Sequence, residues 1–149
     1  MKKLLPVLIV FTAAWWFAQR SGQFQSFHNA ASVATSSPSV DAVLEQAYRE
    51  QKSNLQVQGQ AVVVNILRDD AEGPRHQRFL VRLDSGLTLL IAHNIDLAPR
   101  IDSLREGDRI AFYGEYEWNN KGGVIHWTHR DPQHRHIDGW LEYRGRRYQ

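Results

Sequence analysis

The stretch that decides the fold is Val57-Gln58-Gly59-Gln60-Ala61-Val62-Val63-Val64-Asn65-Ile66-Leu67. It is rich in β-branched residues and has no helical period, so it predicts a β-strand, and Gly59 indicates a bulge within it. Further segments of extended character follow, separated by polar or glycine-containing turns. They cover residues 76–83, 87–92, 109–118 and 124–128. The chain is therefore predicted to be mainly β.

The connector between the third and fourth strands refines this prediction. Residues 96–104 have room for one helical turn, which Pro99 interrupts. Five short strands, a bulge glycine in the first and a helix-like connector before the fourth are typical of a five-stranded Greek-key barrel of the OB type. A split β-roll and a small β-sandwich are the alternatives. We assign residues 56–149 to this OB-like domain and its C-terminal tail.

A helix is predicted immediately upstream, over residues 39–52. Ser37-Pro38 is a favourable helix start, since it combines a hydroxyl cap with proline at the first helical position. The apolar side chains that follow recur at helical spacing and form one face. They are Val40, Val43, Leu44, Ala47 and Tyr48. We expect this face to pack on the barrel, with a partner-binding helix as the alternative.

The first 18 residues predict an export signal. Lys2 and Lys3 precede an apolar run over residues 4–18, which is typical of a signal peptide and short for a membrane-spanning helix. A retained signal-anchor and a buried core helix are the alternatives. Either form of export would place the remainder in the periplasm or outside the cell, tethered to the inner membrane through residues 4–18 if the segment is retained. Residues 19–38, rich in Ser, Ala, Gln and Asn, predict a flexible stalk.

Composition excludes several chemistries. The chain contains no cysteine, which rules out disulfides, thiol catalysis and cysteine-based zinc sites. Residues 56–149 carry thirteen cationic and thirteen acidic side chains. This neutral balance argues against non-specific binding of nucleic acid. Because twelve of those cations are arginine, a local pocket for an anion remains compatible with the sequence.

Histidines cluster near the C-terminus, where four of the seven lie between residues 126 and 136. Since residues three apart on a strand face opposite ways, His126 and His129 share a face only if the strand ends between them. His129, Asp131, His134 and His136 offer nitrogen and oxygen ligands suited to a zinc-like divalent ion. The alternative is that these histidines hydrogen-bond their own loops.

A second polar group ends the third strand. His93 and Asp96 could pair, with the carboxylate orienting the imidazole; the alternative is a side-chain cap on the connector. Because the ends of OB barrels commonly bind ligands, we expect these two residues to meet the histidine cluster at one rim. The predicted ligand-binding set is His93, Asp96, His126, His129 and Arg130.

Four motifs carry a resemblance to a known family. HQRF at residues 76–79, HNIDLAPR at 93–100, GEYEWN at 114–119 and GGVIHWTH at 122–129 resemble a family of small exported bacterial proteins catalogued as a domain of unknown function. The likeness covers residues 57–149 and implies an envelope protein, without implying an activity.

Three functions therefore stay open. The first is an exported binding module for a small or polymeric anion. The second is a metal-dependent phosphodiesterase that uses the histidine and aspartate cluster, by analogy with thermonuclease-type OB enzymes. The third is an interaction partner of another envelope protein. Whether the protein is an enzyme is not decided by its sequence.

Overall fold

A computed structural model describes residues 38–149 of the chain. The predicted signal segment and the stalk up to residue 37 lie outside the described residues. The elements in chain order are α1 (Val40–Arg49), β1 (Leu55–Ile66), β2 (His76–Arg82), β3 (Thr88–Asn94), β4 (Arg109–Glu117), β5 (Val124–His126), β6 (Trp140–Tyr143) and β7 (Arg146–Tyr148). Between residues 38 and 149, no helix has the length and apolar character needed to cross a bilayer.

The first five strands form a closed barrel. Their order is β1-β2-β3-β5-β4, and β4 pairs back onto β1. The β3–β5 pair is parallel, whereas β1–β2, β2–β3, β4–β5 and β1–β4 are antiparallel. This closure, in which a parallel pair joins two antiparallel segments, confirms the predicted five-stranded OB-like barrel.

Strand β1 reaches both of its neighbours because it is long and bulged. Its first part, Leu55 to Val62, pairs with β4, and its last part pairs with β2. The bulge lies between Val63 and Asn65, so its predicted position at Gly59 is wrong. Gly59 instead allows a close approach, since an added Cβ would lie 2.9 Å from atoms of both Phe112 and Val40.

One hydrophobic core runs from the helix to the last strand. Alternate residues of the strands point inward, as the period of two requires. Leu44 of α1 is fully buried, which confirms that the helix packs on the barrel. The helix begins later than predicted, because Ser39 caps it by accepting a hydrogen bond from the Ala42 amide.

The connector between β3 and β4 contains no helix, but the Ala98 amide donates to the Asn94 carbonyl at 3.1 Å and closes one helical turn before Pro99, as predicted. A buried glutamine holds it in place. The Gln77 side chain donates to the carbonyl of Ile101 at 3.0 Å and accepts from the amide of the same residue at 2.8 Å. These two bonds satisfy the backbone carbonyl and amide of Ile101, which in a helix would be satisfied by neighbouring backbone groups.

The C-terminal segment is a β-hairpin and not a tail. Strand β6 pairs with β4 at Ala111–Tyr113, on the same edge of β4 that β5 occupies further along. Strand β7 then pairs with β6. Leu141, Tyr143 and Tyr148 of this hairpin are buried in the common core.

Candidate functional site

Three polar side chains form a row across the outer surface of the barrel. The register places Glu115 of β4 opposite Gln56 of β1 on one side and opposite His126 of β5 on the other. All three face outward, because the alternating neighbours Val57, Tyr116 and Ile125 are buried in the core. Directly opposed residues of an antiparallel pair have Cβ atoms about 4.5–5.5 Å apart, so the row is continuous.

Glu117 extends this row into a cluster. It lies two residues beyond Glu115 on the same face of β4. One ligand atom from each of Glu115, Glu117 and His126 lies within 4.8 Å of the other two. All three residues are partly buried, so the two carboxylates and the imidazole are partly shielded from bulk water.

The imidazole of His126 has a free nitrogen. Its Nε2 lies 3.7 Å from Oε1 of Glu115, which exceeds hydrogen-bonding distance. Burial lowers the pKa of His126 and outweighs the opposing effect of Glu115 and Glu117. The ring is therefore neutral at pH 7, and a neutral imidazole is the form that binds metals.

Unpartnered polar atoms are concentrated at this row. Among residues 38–149, the buried side-chain nitrogen and oxygen atoms that lack a hydrogen-bond partner are Nε2 and Oε1 of Gln56 and Nε2 of His126. These two residues flank Glu115 on its two sides. Burying such a group without a partner costs about 1–3 kcal/mol, and an unpaired polar group in a native fold calls for an explanation.

A loop over residues 127–139 covers the site. Strand β5 ends at His126 because Trp127 has a φ of 52°, in the left-handed region. A regular strand continuing past His126 would place Trp127 in the core and Thr128 outside. The turn reverses this, since Thr128 is fully buried and Trp127 is half-buried on the outer side. The indole stacks on His136 at 4.2 Å between ring centroids, with an interplanar angle of 5°.

Asp131 organises this loop. Its carboxylate accepts hydrogen bonds from the backbone amides of Gln133, Arg135 and His136 at 2.8–2.9 Å. The amide of Gln133, together with the other two, lowers the pKa of Asp131 although burial opposes the shift. Because this carboxylate is committed to the backbone, its role in the loop is structural.

His136 connects the loop to the row. Its Nε2 donates to Oε2 of Glu115 at 2.6 Å, and its Nδ1 faces the carbonyl oxygen of Ile137 at 3.1 Å. Burial acts to lower the pKa of His136, but the Ile137 carbonyl and the Glu115 carboxylate outweigh it and raise the pKa. Oxygen acceptors at both ring nitrogens favour the protonated form of His136.

The expectation that His93 lies at the barrel rim is wrong, because the residue is fully buried. Its Nδ1 accepts a hydrogen bond from the Thr128 hydroxyl at 2.9 Å, and its Nε2 donates to the Pro99 carbonyl at 3.3 Å. Burial lowers its pKa to about 4. Asp96 does not pair with it and instead accepts from the Arg75 backbone and side chain, both at 2.7 Å.

The predicted ligand set His129, Asp131, His134 and His136 does not converge on one point. His129 is buried with its Nδ1 on the Arg130 carbonyl at 2.7 Å, and His134 is exposed. Arg130 is also exposed, and no side-chain hydrogen bond joins it to the row within residues 38–149. Of the predicted site residues, the structure brings His126 and His136 together around Glu115.

Sequence reasoning did not identify Gln56, Glu115 or Glu117. Glutamates at alternate positions of a strand look like an ordinary solvated face. One signal was available, because the i, i+2 spacing puts both carboxylates on the outer face of the strand that precedes β5. The register between β1 and β4, which brings Gln56 opposite Glu115, has no local signature.

Comparisons with known proteins identify a family and no function. No curated protein and no solved structure matches the chain. A family model described as "Protein of unknown function (DUF3465)" matches residues 27–149, which is most of the sequence. This match confirms the resemblance to a family catalogued as a domain of unknown function, and the chain belongs to that family.

Proposed function

We propose that the protein is a binding module that works outside the cytoplasm, and that its ligand binds at the row Gln56–Glu115–His126. The observation that carries this proposal is the concentration of unpartnered buried polar atoms on the two residues flanking Glu115. Groups that lower stability in the free protein are retained where a ligand satisfies them. The basic flank and apolar run of residues 2–18 support export.

The charge of the row favours a cationic ligand. Two carboxylates, Glu115 and Glu117, lie here, and the protonated form of His136, which contacts Glu115, would offset only one of them. We therefore replace the anionic ligand predicted from the arginine content with a positively charged one at this site. An anion would have to bind elsewhere, and the exposed Arg130 and Arg135 of the loop remain available to it.

Unfolding of a Gln56→Met variant tests the site without knowledge of the ligand. Methionine keeps the length of the side chain and removes the two unpartnered atoms, so the free energy of unfolding of the ligand-free protein should rise by roughly 1 kcal/mol. Gln58→Met is the matched control, because Gln58 is the next outward residue of β1 and is exposed. A loss of about 1 kcal/mol or more in Gln56→Met would show a structural role and contradict the proposal.

Native mass spectrometry tests binding directly. Full-length protein isolated from its native compartment should carry an additional mass, and Glu115→Gln should not carry it. Glu142→Gln is the control, since Glu142 lies on the neighbouring strand and pairs with Arg147. Equal additional mass in all three proteins would place the ligand at another site.

The residues on which the phosphodiesterase and partner hypotheses were based do not support either function. The phosphodiesterase hypothesis relied on the histidine and aspartate cluster, but Asp131 accepts from backbone amides and both oxygens of Asp96 accept hydrogen bonds from Arg75. The partner hypothesis relied on the apolar face of α1. Leu44 and Ala47 of that face are buried against the barrel, which leaves the polar face of the helix exposed.

A further inference from the structure

We propose that Glu115, Glu117 and His126 bind a divalent ion of the first transition row, of the zinc class. This inference rests on the proposed function and names the ligand of the same site. It assigns a metal to residues on β4 and β5 and not to the set His129, Asp131, His134 and His136. Two observations support this inference. One is the spacing of the three donor atoms, and the other is the burial of the unpartnered atoms of His126 and Gln56.

The spacing fits an ion after a small adjustment. Transition-metal ions bind carboxylate oxygen and imidazole nitrogen at about 2.0–2.2 Å, so two donors to one ion stand at most about 4.4 Å apart. The three donor atoms lie within 4.8 Å of one another. A shift of a few tenths of an ångström in the two glutamate side chains, which are long and partly exposed, brings all three into range.

The burial of the unpartnered atoms argues for a small ion and against a larger ligand. The unpartnered Nε2 of His126 and both amide atoms of Gln56 have essentially no contact with solvent. An organic ligand would have to displace the surrounding side chains to reach them. A bare ion is smaller than water and enters between side chains with little movement of the backbone.

The donor set selects among ions. Calcium takes six to eight oxygen ligands and magnesium prefers oxygen with several waters, so an imidazole donor disfavours both. Two carboxylates and one neutral imidazole suit zinc, manganese, iron, cobalt or nickel. The charges also balance, because the two carboxylates neutralise a divalent ion and His126 contributes no charge.

Groups around the cluster act as positioning residues. His136 donates to Oε2 of Glu115, which leaves Oε1 directed towards His126. Such outer contacts fix the orientation of a ligating carboxylate. Gln56, on the other side of Glu115, offers an amide that can hydrogen-bond water carried by the ion. Three protein donors leave positions for such water, as in metal sites that remain open.

Cobalt and zinc titrations of the full-length, tag-free, chelator-treated protein test the inference. The wild type should bind one equivalent of Co²⁺ with visible d–d absorption bands, and Zn²⁺ should displace it. Glu117→Gln removes a carboxylate that makes no side-chain hydrogen bond or ion pair within residues 38–149, and it should weaken Zn²⁺ binding at least tenfold in calorimetry. His126→Gln should do the same and should also shift the Co²⁺ bands, because the nitrogen donor is lost.

Control variants separate this site from adventitious binding by surface histidines. His134→Asn and Glu142→Gln should bind Zn²⁺ like the wild type. Equal weakening by His134→Asn, or binding that survives both Glu117→Gln and His126→Gln, overturns the inference. If Zn²⁺ and Co²⁺ do not bind but Gln56→Met is stabilising and an organic mass copurifies, the metal is wrong and the proposed function stands.

Discussion

Three histidines of residues 38–149 differ in the direction of their pKa shifts because their surroundings differ. His93 is sealed in the core between a hydroxyl and a carbonyl, so burial keeps it neutral. His126 is neutral because partial burial outweighs two nearby carboxylates. The pKa of His136 is raised because oxygen acceptors face both of its nitrogens, which favours the protonated ring. Local contacts, and not the density of histidines in the sequence, decide which ring can bind a metal.

The low pKa of His93 makes stability depend on pH. The unfolded chain titrates this ring near 6.5, whereas the folded protein titrates it at about 4. Between these values the unfolded state binds more protons. The free energy of unfolding should therefore be highest above pH 6.5 and should fall by up to about 3 kcal/mol as the pH decreases towards 4.

Urea unfolding between pH 7.5 and 4.5 measures this dependence. His93→Gln, whose amide can still accept from Thr128 and donate to Pro99, should lose much of the pH slope. His134→Asn should keep the wild-type slope, because His134 is exposed. Identical slopes in the wild type and His93→Gln would contradict the assignment of the pH dependence to this ring.

At the scale of elements, the loop over residues 127–139 is fixed to the barrel at its end. Gly139 donates its amide to the His129 carbonyl at 2.9 Å. A Cβ at this position would collide with the carbonyl oxygens of Trp127 and Tyr113. The absence of a side chain at Gly139 thus lets the loop close over Glu115.

Gly139→Ala should separate the loop from the barrel. We expect the free energy of unfolding to fall by more than about 2 kcal/mol, since rigid backbone atoms must move. Zn²⁺ binding should weaken as well, because His136 would no longer orient Glu115. Gly145→Ala is the control, where φ is 74° and open space surrounds the added methyl group, so the cost should stay near 1 kcal/mol. Equal losses in the two variants would contradict this role of Gly139.

Helix α1 is part of the folding unit. Leu44→Ala removes a fully buried side chain from the common core and should lower the free energy of unfolding by about 2–5 kcal/mol. Far-UV circular dichroism and tryptophan fluorescence in urea should shift together. Gln46→Ala, on the exposed face, should change the midpoint little. A helix that unfolded separately, with no effect on the barrel transition, would contradict this role.

At the scale of the whole molecule, barrel and hairpin share one core. Leu141 and Tyr143 belong to the same buried cluster as Phe112 and Leu44. Removal of residues 140–149 should therefore abolish cooperative unfolding in a urea titration, whereas removal of Gln149 alone should not. A truncated protein with a sharp transition would show that the hairpin is an accessory.

The parts of the fold that local pattern decides were predicted correctly. Alternation of apolar residues indicated the barrel strands, and helical spacing of Val40 to Tyr48 indicated α1. The hairpin was missed because Arg144, Arg146 and Arg147 made the segment look like a solvated tail. The cluster around Glu115 was missed for another reason. It depends on a cross-strand register and on the positive φ of Trp127, and both are set by tertiary packing.

The short last strand has a consequence for behaviour at high concentration. Between residues 38 and 149, β7 pairs with β6 alone, so the backbone N–H and C=O groups on its other side are not paired with a strand. Edge strands of this kind recruit strands from other molecules when they are long and apolar. This one spans three residues, and the exposed Arg146 and Arg147 carry like charges that repel a second copy. The molecule should therefore resist fibril formation where its sheet ends.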